Sequence, residues 1–149
     1  MHARQQILNA VAALLDAAAS PPWNGVYVSA ILPGTASLPA VLVRQQAEQV
    51  EYGTIHSLDL YRTLSMSVLF AARARAKPED NTTAMNAAAS AIESVLTASA
   101  LIAAGVGVKS LALQGSEIDE EPDESGYVVI NLEYSIEYVT PTGSPDTLA

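Results

Sequence analysis

The feature that most constrains this chain is the alternation between Tyr127 and Tyr138. Val128, Ile130, Leu132, Tyr134, Ile136 and Tyr138 share one parity, while Asn131, Glu133, Ser135 and Glu137 hold much of the other. Successive strand side chains point to opposite faces, so this period of two specifies a β-strand with one apolar and one polar face. Such a strand cannot stand alone. It needs neighbours for its backbone groups and a second layer over its apolar side. The run from Leu60 to Phe70 is a fitting neighbour: Leu60, Leu64, Met66, Val68 and Phe70 share a face with Arg62, while Tyr61, Thr63, Ser65 and Ser67 take the other.

The covering layer is legible as two amphipathic helices. From Ala3 to Ala19 the apolar residues Ile7, Val11, Leu14, Leu15 and Ala18 follow the helical period, and Ser20-Pro21-Pro22 ends the run because proline lacks an amide donor. A second helix starts at Lys77-Pro78-Glu79-Asp80-Asn81, with acids near the positive end of the dipole and several side chains able to cap it. Met85, Ala88, Ala89, Ile92, Val95 and Leu96 form its buried face, Ser99 continues that face, and Gly105 and Gly107 terminate it. Three further extended segments complete the set. Val26 to Leu32 and Pro39 to Val43 read as neighbouring strands with turn chemistry at Pro33-Gly34 between them, and Val108 to Gln114 reads as a short strand before the last one. After Val43 the chain turns polar through Arg44 and Glu48 towards Glu51-Tyr52-Gly53, the signature of a sheet edge or a protruding hairpin.

The predicted fold is therefore α+β, in the order α-β-β-β-α-β-β: a mostly antiparallel sheet of about five strands with two helices packed on one face. Its 149 residues suit one core, which is assigned to residues 1–140, with a loose turn-rich tail over 141–149. No apolar run reaches the length of a membrane span, and the first nineteen residues lack the pattern of a signal peptide. With no cysteine, the chain can use neither disulfides nor thiolate chemistry. Seven Lys and Arg against sixteen Asp and Glu leave a net charge of −9, which disfavours gripping nucleic-acid phosphates.

Motifs for catalysis are absent or incomplete. His2 and His56 have no spacing that would converge them on a metal, and His56 with Ser57 and Asp59 lies too close in sequence for a nucleophile, base and orienting acid. Gly105-Val106-Gly107 follows a helix and lacks a third glycine, so it reads as a helix terminator and not as a dinucleotide loop. Glu117, Asp119, Glu120, Glu121, Asp123 and Glu124 form a dense acidic segment without the ordered twelve-residue loop of a specific calcium site. Its simplest reading is a solvated loop, and its sharper one a charged surface facing a partner or a channel. Arg73, Arg75 and Lys77 are the basic cluster, able to pair with acids of a neighbouring subunit. Trp23 is either a cap over the core edge or an interface anchor. No cofactor and no metal are expected. An acidic enzyme or ligand-binding domain using His56, Asp59 or the acidic segment is the reading from another class.

Element order and ending together resemble the tail terminator proteins of long-tailed bacteriophages, the family of the lambda minor tail protein U. The residues carrying the resemblance are the opening helix, the Pro39-Ala40-Val41-Leu42-Val43 strand leading into Glu51-Tyr52-Gly53, the Leu60 to Phe70 alternation, and Leu132-Glu133-Tyr134-Ser135-Ile136-Glu137-Tyr138. The resemblance implies a virion protein that caps a finished tail tube as a homo-hexameric ring, meeting the tail-tube protein on one side and a head-completion or connector protein on the other. DNA would pass through the ring without specific binding, and no membrane is involved. A head-tail connector or tail-tube subunit is the neighbouring possibility. Residues expected to face a partner or the ring's lumen are Arg44, Glu48, Glu51, Tyr52, Arg73, Arg75, Glu117, Asp119, Glu120, Glu121, Asp123 and Glu124.

Overall fold

The computed structural model describes residues 1–28, 38–53, 58–119 and 126–148. The described chain runs α1 (Ala3–Asp16), β1 (Gly25–Val28), β2 (Ala40–Tyr52), β3 (Asp59–Arg73), α2 (Pro78–Val95), α3 (Ala98–Ala103), β4 (Ser110–Asp119) and β5 (Tyr127–Pro141). The α+β class and the element order agree with the sequence reading. The strands form one five-stranded sheet in the order β1-β2-β3-β5-β4. It is mixed: β1 pairs with β2 in parallel, from Gly25 beside Ala40 to Val28 beside Val43, and every other pairing is antiparallel. The Pro33-Gly34 turn lies outside the described residues.

β3 and β5 are the centre of the sheet and pair without interruption from Asp59 beside Pro141 to Arg73 beside Tyr127. Their apolar parities coincide, so Leu64, Met66, Val68 and Phe70 lie next to Ile136, Tyr134, Leu132 and Ile130 on one face. That face carries the main core, with Ile7, Val11 and Leu15 from α1 and Met85, Ala88 and Ile92 from α2 packed upon it. Alanines at Ala84, Ala88 and Ala91 let α2 lie close to the sheet. The opposite face has a much smaller apolar cluster of Leu38, Ala40 and Ala71, joined by Leu69, Tyr127 and Val129. Ser67 also faces that side, is fully buried, and donates its hydroxyl to the Asn131 side chain. The face expected to be wet is thus partly dry.

Four details depart from the sequence reading. The second helix stops at Val95, and Thr97 caps a separate short helix by accepting from the Ala100 amide at 3.1 Å. Ser99 therefore sits exposed on α3 and is not part of the α2 face. α2 itself starts without a side-chain cap: Lys77 makes no capping bond, Pro78 needs none, and Asn81 turns inward to accept from the Arg75 amide at 2.7 Å. Finally, β4 starts at Ser110 and runs to Asp119, so Glu117 and Asp119 belong to a strand and not to a loop. Gly115-Ser116-Glu117-Ile118-Asp119, with a glycine and two acids, is a poor strand signal, and pairing with β5 overrides it.

Gly105 does terminate helical structure. It adopts φ +89°, its amide donates to the Ile102 carbonyl, and the Val106 amide reaches back to the Leu101 carbonyl, both at 3.0 Å. This pair of bonds closes α3 in the Schellman arrangement, in which a left-handed residue is needed and glycine fits best. Trp23 is 5% exposed and its indole N–H donates to the Leu15 carbonyl at 3.3 Å, so it caps the end of α1 and the core edge. Past Pro141 the chain returns to the start of α1, where the Pro145 carbonyl accepts from the Ala3 amide at 2.9 Å and the Asp146 carbonyl from Gln6 at 2.8 Å.

Ile136 is fully buried at the middle of β5. Ile136→Ala is expected to lower unfolding free energy by about 2–5 kcal/mol through lost burial and a residual cavity, read from urea denaturation midpoints at unchanged slope.

Candidate interaction surface at the distal hairpin

β2 and β3 continue beyond the main core, with β5 still paired to β3 as far as Pro141, and the way the chain manages that end of the sheet defines the candidate site. β2 carries a bulge between Gln45 and Ala47. Before it, the odd-numbered residues Val41 and Val43 face the helices. After it, the even-numbered ones do, because one extra residue inverts the parity of everything downstream. Glu48 is turned inward as a result. It pairs beside Leu64 and its side chain is only 6% exposed.

A carboxylate at that depth requires partners, and three groups converge on it to form a network. Its Oε2 receives Arg4 Nη1 from α1 at 3.0 Å and Arg62 Nη1 from β3 at 3.1 Å. Oε1 receives the hydroxyl of Tyr138 from β5. Arg62 in turn donates through Nε to Thr140 Oγ1 at 2.8 Å. The network binds α1, β2, β3 and β5 together where the apolar core gives out. Burial and the hydrogen bond to Glu48 push the Tyr138 phenol well above its ordinary range. At the head of α1, His2 accepts from the Arg4 amide through Nδ1 at 3.2 Å, and its pKa is lowered by burial and by the nearby Arg4 charge. His2 is a helix cap, a role compatible only with the neutral ring at that nitrogen.

Beyond the network, the described part of the hairpin exposes large apolar side chains alongside Gln49 and Glu51. Val50, Tyr52, Leu58 and Tyr61 are 44%, 81%, 77% and 50% exposed. Exposed apolar side chains grouped in this way form a surface to be covered and not a core element. Two concavities border the sheet. A groove of about 450 Å³ at its distal end is lined by Gln49, Glu51, Tyr61, Thr63, Lys109 and Glu137, together with Arg62 and Tyr138. A more apolar one, of about 480 Å³, lies where α2 meets the end of β3, with Phe70, Ala72, Ala84 and Ala87 inside and Arg73 and Arg75 at its border. In the distal groove Thr63 stands opposite Glu137, with Lys109 in the same lining, and among the described residues no three His, Cys, Asp or Glu side chains are grouped as metal ligands.

The residues singled out from sequence separate into distinct places. Glu51 and Tyr52 are exposed on the hairpin, and Glu51 lines the distal groove. Glu48 points inward and is engaged by two arginines. Arg44 lies half-buried on the face away from the helices, with its Nε buried and lacking a hydrogen-bond partner. Arg73 ends β3 and Arg75 follows it, both at the apolar concavity. Glu117 is exposed on β4, and Asp119 closes that strand. Glu120, Glu121, Asp123 and Glu124 lie outside the described residues, as do His56 and Ser57. What the sequence reading missed is the Arg4–Glu48–Arg62–Tyr138 network. Its members are spread over four elements, and only Arg62 on an otherwise apolar strand face hinted at a buried partner.

No protein-family model matches the chain, and no curated protein sequence matches it. Among solved structures, a chain from "Virion of native gene transfer agent (GTA) particle" aligns over 91% of this chain and 90% of its own length, at 18% identity and a TM-score of 0.49. A likeness at that level says nothing of what this chain does.

Glu48→Ala would leave Arg62 buried without its counter-charge, and is expected to cost about 3–5 kcal/mol in denaturant unfolding. Glu51→Ala, on the exposed part of the same strand, should stay within about 0.5 kcal/mol of the parent. A second expectation concerns Tyr134, whose buried hydroxyl has no partner and whose pKa burial pushes up to about 12 from an ordinary 10. The unfolded chain then loses this proton first, so stability is full below about pH 10 and falls as pH rises towards about 12. Tyr134→Phe should remove part of that alkaline decline in thermal melts and be neutral or mildly stabilising at pH 7, because no hydrogen bond is lost.

Proposed function

We propose that this chain is a structural assembly protein of a phage-like virion, one that caps the end of a tail tube as a ring, ends tube growth and offers a surface for head joining. The observation that carries the proposal is the distal hairpin: two strands stiffened at their root by a buried ion network and ending in exposed Val50, Tyr52, Leu58 and Tyr61. An enzyme holds convergent polar groups in a pocket. Here the buried charges are consumed in holding the hairpin, and the exposed apolar groups stand at one end of the sheet, open to docking. The resemblance to tail terminators supports the same reading.

Charge fits the assignment. A surplus of acids keeps DNA from adhering to a ring through which it must travel, because phosphates gain nothing from such a surface. No cofactor, metal or active site forms part of this reading. The tube protein is the partner assigned to the hairpin tip, and further copies of the chain are the partners assigned to its sides.

Purified tail tubes from the same virion provide the test. Added chain should bind one end of each tube and halt elongation, seen by negative-stain electron microscopy. Tyr52→Glu, which places a charge at the most exposed large apolar side chain among the described residues, should abolish capping while leaving the melting temperature within a degree or two. Long cylinders made by the chain alone would identify a tube subunit instead. Failure to bind either end would remove the assignment.

A further inference from the structure

We propose that neighbouring copies join by antiparallel β-pairing, the β4 edge of one copy against the outer edge of β2 in the next; this rests on the assembly role proposed above. Among the described residues both edges lack a strand partner. β1 covers the outer side of β2 only from Ala40 to Val43, and β4 is the last strand on the opposite side of the sheet. The contact is heterologous, joining two different surfaces, and repeats from copy to copy until a ring closes.

The two edges match in detail. Each carries one bulge, at Gln46 in β2 and at Gln114 in β4. With Arg44 opposite Glu117 and Glu51 opposite Ser110, each non-bulged residue between them meets a residue of the same sheet face. On the helix side Val50, 44% exposed, then lies beside Leu111, and Leu113, 40% exposed, follows two residues along. Cross-strand apolar pairs of this kind are what stabilise a sheet.

Charge selects the direction. The antiparallel arrangement brings the half-buried Arg44, whose Nε lacks a partner, against exposed Glu117, and exposed Lys109 against the Glu51 end of β2. The parallel arrangement reverses both. It sets Glu117 beside Glu51 and Lys109 near Arg44, two like-charge contacts in place of two opposite ones. The occupant of each edge is therefore a second copy of this chain, running in the opposite direction.

The chain has no cysteine, so introduced thiols report contacts without background. Gln49→Cys combined with Ala112→Cys places the two thiols opposite each other in the antiparallel register, whereas Gln49→Cys with Gly115→Cys does so in the parallel one. All three positions are exposed. Within one copy, positions 49 and 112 stand three strand spacings apart, about 14 Å, too far for a disulfide. Mild oxidation on tail tubes should give covalent multimers from the first pair and not from the second. The reverse result would overturn the proposal. Absence of cross-links in both, from variants that still cap tubes, would overturn the edge pairing and leave the assembly role standing, while loss of capping by the parent chain would overturn both. Separately, Glu51→Lys and Lys109→Glu should each weaken copy-to-copy association by about two- to fivefold in sedimentation, and the double reversal should restore it. No restoration would count against the register.

Discussion

The structure depends on a mismatch of lengths. A strand advances about 3.3 Å per residue and a helix about 1.5 Å, so the fifteen residues of β3 and of β5 reach about 50 Å while α1 and α2 reach about 21 and 27 Å. Helices of that size cannot cover such strands from end to end. The chain places its cover where Val41, Val43, Met66, Val68 and Phe70 supply apolar surface, and past Glu48 the end of β2 is left exposed while β3 stays paired with β5.

At the limit of the cover, apolar packing gives way to charge. The Gln46 bulge turns Glu48 inward at the head of α1, and the carboxylate then collects Arg4, Arg62 and the Tyr138 hydroxyl. A buried charge cluster of this type is seldom more stabilising than an apolar one of equal volume. Its effect is directional: it fixes the hairpin against α1 and β5 in one orientation, because the carboxylate oxygens and the guanidinium nitrogens meet only in that geometry. Under the assembly reading, a rigid projection loses less conformational entropy on docking than a loose one would.

Among the described residues both sides of the sheet are open. Among the described residues β1 covers only Ala40 to Val43 of β2, and Leu113 and Ile118 on β4 are substantially exposed. Proteins that remain solitary usually shield such edges with charge, proline or a covering segment. In the proposed antiparallel pairing Arg44 meets Glu117 and Lys109 comes near Glu51, and this is the physical basis for assigning each edge to a second copy.

Much of the fold was legible in the chain itself. Alternation from Leu60 to Phe70 and from Tyr127 to Tyr138 determined both central strands and which of their faces is buried, Arg62 included. The spacing of Ile7, Val11 and Leu15 determined α1, Met85, Ala88 and Ile92 determined α2, and Gly105 determined the end of helical structure. These patterns are local, so a single sequence displays them. Tertiary structure alone decided that Glu117 lies on a strand, that β1 runs parallel to β2, that helix two breaks before Ser99, and that Glu48 faces in. Each of those outcomes depends on a partner distant in sequence or on one added residue in a bulge. Neither hydropathy nor spacing records such an event, because it is the pairing of strands, and not the order of residues, that sets which way a side chain points.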